Sequence, residues 1–144
     1  MKKFFMLAAF MCVMILTTTA SAESWISFRS DALQEEFIDT ESVRILKNEG
    51  GVKIFSATFK TVLTDKGRSR LGLDNVNEMI SLCAFAQKDG EKFFSMRYRK
   101  FYGADGSLVK SIDDSDKWQK ISPNSFANGM YNIAELYLWN AKTK

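Results

Sequence analysis

From residue 52 to residue 63 apolar and polar side chains alternate. Phe55, Ala57, Phe59 and Leu63 share one parity with Lys53 and Thr61, while Ile54, Ser56, Thr58, Lys60 and Val62 take the other. A period of two sustained over this length predicts a long β-strand with one mostly buried face. Residues 92–102 alternate too, placing Phe94, Met96, Tyr98 and Tyr102 on one side and Ser95, Arg97 and Arg99 on the other. Between these runs, residues 79–86 are apolar at both parities and are followed by Asp89-Gly90. That suits a central strand covered on both faces, although a short helix has a similar composition.

Shorter signals fill in the rest. Residues 25–29 predict a strand, Ser30-Asp31 a turn, residues 35–39 a brief second strand, and residues 39–42 a turn into a further strand at 43–46. Asn48-Glu49-Gly50-Gly51 is a hairpin signal, and residues 103–106 predict a turn that returns residues 107–112 as a paired strand. Residues 64–78 are polar, with Lys66, Arg68 and Arg70 set among Gly67 and Gly72. They read either as a binding loop or as a solvated connection with a turn of helix near 74–78.

Near the C-terminus, Phe126, Met130, Ile133 and Tyr137 recur at helical spacing. Pro123 suits the start of that helix, either neighbouring serine suits its cap, and Asn140 suits its end. Gly129 inside it predicts a close approach to a strand, since glycine otherwise weakens a helix. Five or six short antiparallel strands closed by one terminal helix place residues 23–144 in the α+β class as a single domain.

The first 22 residues belong to none of these elements. Lys2 and Lys3 precede an apolar run over residues 4–16, and Ala20-Ser21-Ala22 offers small residues for cleavage, the order of a secretory signal. The apolar run is shorter than the roughly 20 residues that a spanning helix needs. Cys12 lies within it, after Ala9-Phe10-Met11 rather than the small residues of a lipoprotein site. The expectation is an exported protein, periplasmic or secreted, with display at the cell surface left open. After cleavage Cys83 is the one cysteine, so no intrachain disulfide forms; its apolar neighbours predict burial. Removing Lys2 and Lys3 brings the formal charge of +3 down to near neutrality, which argues against a nucleic-acid partner.

Candidate chemistry is sparse. The chain has no histidine, which excludes serine triads, cysteine–histidine dyads and histidine-ligated zinc. Glu35, Glu36, Asp39 and Glu41 lie close together, and a glycosidase needs only two carboxylates, but a turn and an edge strand read more simply as a solvated face. Residues 113–116 lack the glycine and distal glutamate of a calcium loop. Gly50-Gly51 leads into a strand rather than a helix, so no phosphate loop is assigned. The expectation is a non-enzyme, with no catalytic residue, cofactor or metal ligand. Arg97, Arg99 and Lys100, interleaved with Tyr98 and Phe101, form a candidate basic patch for anionic groups such as glycans or lipid head groups, with Arg68 and Arg70 as further candidates. The same alternation also describes an ordinary exposed strand face.

Several short motifs carry a family resemblance: Trp25; Phe37-Ile38-Asp39 followed by Ser42-Val43-Arg44; the strand 52–63; Tyr102-Gly103-Ala104-Asp105-Gly106; and above all residues 118–125, with Trp118, Ile121, Pro123 and Ser125. In this order they resemble the surface-adhesin protein E-like family of small exported bacterial proteins, over most of residues 24–139. The resemblance implies an antiparallel sheet with a C-terminal helix and a non-enzymatic binding module, with host matrix or serum proteins as partners of the adhesin itself. Many members of that family carry a second cysteine in the last helix, where this chain has residues such as Ala134 and Glu135.

Two functional expectations follow. The first is a binding protein of the bacterial envelope that engages a protein partner, either a host matrix or an envelope protein. The second is a carrier or sensor of a small apolar or anionic ligand, with Phe93, Phe94, Tyr98 and Tyr102 lining a pocket between sheet and helix. The edge strand at 25–29 either pairs two subunits into a homodimer or is capped within one chain.

Overall fold

The structure is a computed structural model, and it describes residues 24–113 and 117–141. The expected signal segment, with Cys12, and residues 114–116 of the acidic run lie outside the described residues.

Six strands run in chain order across one antiparallel sheet: β1 (Trp25–Ser30), β2 (Gln34–Glu49), β3 (Val52–Leu63), β4 (Glu78–Lys88), β5 (Glu91–Tyr102) and β6 (Leu108–Ile112). A two-residue strand, β7 (Gln119–Lys120), pairs with the other end of β5. The helices are α1 (Asp65–Leu71) and α2 (Phe126–Ala141). The α+β class therefore holds, with the short β7 in addition to the expected strands. Two tight hairpins set the register of the long strands. Gly50 and Gly51 turn with φ of 60° and 73°, and Asp89 and Gly90 with φ of 51° and 78°. Positive φ at both central residues gives a turn whose twist matches that of paired strands.

The alternation in β3 is real, and its two polar exceptions have partners on the buried face. Lys53 pairs with Glu135 of α2, and Thr61 bonds to Glu36. Phe55, Phe59, Phe85 and Tyr131 form the aromatic centre of the core, with edge-to-face contacts such as Phe55 to Tyr131 at 5.2 Å. Cys83 is buried there beside the Met96 sulfur at 3.5 Å.

Four expectations need correction. The strands foreseen at 35–39 and 43–46 are one strand, because the Ser42 hydroxyl donates to the Asp39 carbonyl (2.7 Å) and accepts from the Thr58 N–H (2.8 Å), so pairing continues through the irregularity. The helix foreseen near 74–78 lies instead at Asp65–Leu71, where Thr64 accepts from the Gly67 N–H as its N-cap. The buried stripe of α2 is Met130, Tyr131, Ala134 and Leu138, whereas Phe126 is 39% exposed and Ile133 and Tyr137 only half-buried. The helix is turned so that Tyr131 meets Phe55 and Phe85.

The crowded glycine is not the one in α2. Gly129 is exposed, and a methyl group there would meet nothing within 4 Å. The close approach is at Gly67, where a Cβ would overlap the Leu33 carbonyl oxygen and lie 2.9 Å from its carbon. The two glycines should therefore respond oppositely to alanine. In urea melts Gly129→Ala is expected to stabilise by about 0.5–1 kcal/mol through helix propensity. Gly67→Ala is expected to destabilise by about 2 kcal/mol or more through backbone displacement. Equal effects of the two substitutions would contradict this placement of α1.

Candidate functional site

Antiparallel partners share a face, so the registers sort every side chain. Ile38, Phe59, Ser81 and Arg99 form one row on the helix face, and Arg29, Glu36, Thr61, Met79 and Phe101 form the next. On the outer face, Phe37, Lys60, Ile80 and Lys100 form one row, with Trp25, Asp39, Thr58, Leu82 and Tyr98 beside it.

The foreseen alternation of β5 breaks at Arg97. Leu82 pairs with Tyr98 and Cys83 with Met96, leaving Arg97 as the extra residue of a bulge. A bulge shifts side-chain parity by one, so everything after it changes face. Phe94 and Met96 face the helix, but Tyr98 and Tyr102 face outward and Arg99 turns inward. The expected pocket of Phe93, Phe94, Tyr98 and Tyr102 is thereby split, and Phe94 alone of these four lines the cavity between the sheet and the first turns of α2.

The bulge also disperses the candidate basic patch. The Arg97 guanidinium lies over the Trp118 ring at 5.2 Å, and the Lys100 ammonium lies over Tyr98 at 5.3 Å on the outer face. Arg99 lines a cavity on the helix face. Arg68 is held in α1 by the Leu63 carbonyl (3.2 Å), Asn77 (3.3 Å) and Asp65, and Arg70 is exposed on the same helix.

Among the described residues, two arrangements bring apolar and charged groups together. One is the outer face, which α2 leaves uncovered. Lys60 sits 4.5 Å from the Trp25 ring centroid and 5.1 Å from that of Phe37, with Ile80, Leu82, Tyr98 and Tyr102 half-buried around it. Cation–π contact holds the ammonium low over the rings while leaving its charge available to a partner.

The other is a cavity of about 220 Å³ between the sheet and the first turns of α2. It is lined by Phe59, Met79, Phe94, Met96, Phe126, Ala127 and Met130, with Gln34, Glu36, Thr61, Ser81 and Arg99 as its polar groups. Glu36 is 2% exposed. Its carboxylate accepts from the Thr61 hydroxyl (2.8 Å) and from the Gln34 side-chain amide (2.6 Å). Burial outweighs these bonds and the nearby Arg29, and pushes its pKa up to about 7.

Sequence reasoning set Glu36 among solvated acids, though its parity matches buried Ile38 in the same strand. The other three acids do not converge on it. Glu35 faces outward and accepts from Ser27 at 2.8 Å, Asp39 also faces outward, and Glu41 is exposed. Among the described residues no three His, Cys, Asp or Glu side chains gather as metal ligands, and no helix is long and apolar enough to cross a membrane. Comparison with models of protein families, with curated proteins and with solved structures finds no match for this chain.

Proposed function

We propose that this chain is an exported, non-enzymatic binding protein of a bacterial envelope, and that it engages a protein partner through the outer face of its sheet. The observation that carries this reading is the uncovered row of Phe37, Lys60, Ile80 and Lys100 beside Trp25 and Tyr98. Half-buried aromatics with lysines between them suit a protein surface that carries carboxylates among apolar side chains, since aromatic anchors and desolvated charge pairs dominate such contacts. Supporting it are the signal-like first 22 residues, the lack of histidine and the resemblance to the surface-adhesin family.

The test is crosslinking and pull-down from envelope extract with residues 23–144, beside protease shaving of intact cells. One dominant partner should be recovered by the wild-type protein. A Lys60→Glu variant should recover about tenfold less, as reversal of an interfacial charge predicts. Equal recovery by both proteins, or no partner at all, would remove the reading. Shaving distinguishes an adhesin-like surface role from a periplasmic one.

A further inference from the structure

We propose that the cavity beneath the first turn of α2 is a binding site for a small apolar carboxylate, with its hydrocarbon among the methionines and phenylalanines and its head group toward Arg99 and Glu36. This site lies on the opposite side of the sheet from the protein-binding face and does not depend on it.

Volume comes first. A cavity of about 220 Å³ exceeds the roughly 150 Å³ at which an apolar protein cavity takes up benzene. Met79, Met96 and Met130 come from β4, β5 and α2, so three unbranched, polarisable side chains converge from separate elements. Such walls adapt to the shape of an alkyl or aryl group.

Charge then selects the head group. Arg99 lines the cavity, and Arg29, paired with Glu36 across β1 and β2, stacks over the Phe126 ring at 5.0 Å. The first residues of α2, Phe126 and Ala127, line the same space. Among residues 126–130 of that helix none is charged. Asp31 bridges Arg29 at 3.5 Å, and Lys110 continues the Glu36 row on β6. While Glu36 is neutral, the Arg99 guanidinium in the lining attracts a carboxylate and repels a cationic head group, and Arg29 over the Phe126 ring adds to that field.

Glu36 decides how the head group is held at different pH. In its neutral form it donates a hydrogen bond to a ligand carboxylate, and in its charged form it repels one. Binding is therefore tighter on the acid side of neutrality.

The experiment is calorimetric titration of residues 23–144 with octanoate, octan-1-ol and octylammonium at about pH 6 and about pH 8. Octanoate should bind about tenfold more tightly than octan-1-ol at the lower pH, the discrimination expected of a charge-assisted hydrogen bond, and more weakly at the higher. Arg99→Gln should erase the preference. Ala127→Leu, which narrows the cavity, should weaken both ligands while the thermal midpoint stays within a few degrees. Equal affinity for acid and alcohol, preference for octylammonium, or no binding by a folded wild-type protein would overturn the site. None of these outcomes bears on the Lys60 pull-down, which reads the other face.

Discussion

Phe85→Ala should lower the unfolding free energy by about 3–5 kcal/mol, the range for removing a fully buried ring from a core. Phe85 is inaccessible to solvent, and its ring lies 5.3 Å from Phe55, 5.8 Å from Tyr131 and 6.1 Å from Phe59. No other described ring has more aromatic neighbours, and truncating it leaves three rings facing a void that the sheet cannot close. Domains of this size are stable by only about 5–15 kcal/mol, so a fifth of the margin or more disappears. A matched truncation on the outer face, Phe37→Ala, removes a half-buried ring and should be felt much less. Urea denaturation of the two variants decides it. A smaller loss at Phe85 than at Phe37 would place the core on the wrong side of the sheet.

Glu36→Gln should abolish a pH dependence of stability that the wild-type protein shows between about pH 4.5 and pH 7. The Glu36 carboxyl is raised from an ordinary 4.5 to about 7, first by burial, with Asp31 adding to the rise and with Thr61, Arg29 and Gln34 opposing it. Across that window the folded chain holds a proton that the unfolded chain has released. Stability therefore falls as pH rises, fully so once pH passes 7. A shift of this size corresponds to at most about 3 kcal/mol. Glutamine keeps the shape without the buried charge, its carbonyl accepting from the Gln34 amide and its NH2 donating to a Thr61 hydroxyl turned to accept, so the variant should be the more stable protein at pH 8 and differ little at pH 4.5. Parallel pH profiles for wild type and variant would mean that Glu36 is solvated in solution.

These two predictions differ in how far their residues were legible in advance. Phe55, Phe59 and Phe85 lie in runs whose apolar character announces a covered strand, and their burial needed no tertiary information. Glu36 carried a weaker signal, its parity with Ile38. Charge alone suggested a solvated face, and only the rows contributed by β3, β4 and α2 close the space around it. The candidate basic residues show the limit more sharply. Arg97, Arg99 and Lys100 are consecutive or nearly so, yet a single extra residue at Arg97 directs them to a tryptophan, a cavity and the outer face.

What the sequence determined by itself is whatever depends on short stretches of chain. The period of two in β3, the paired turn residues at 50–51 and 89–90, and the serine cap of α2 each act within a few residues, and together they specify an antiparallel sheet with a terminal helix. Tertiary structure alone decided where the alternation is interrupted, which azimuth α2 presents, and which glycine is crowded. Each of those depends on groups distant in the chain: Thr58 meeting Ser42, Phe55 and Phe85 meeting Tyr131, and the Leu33 carbonyl against Gly67. A bulge or a helix rotation changes little in local backbone energy, so packing between distant strands settles it, and with it the position of the cavity.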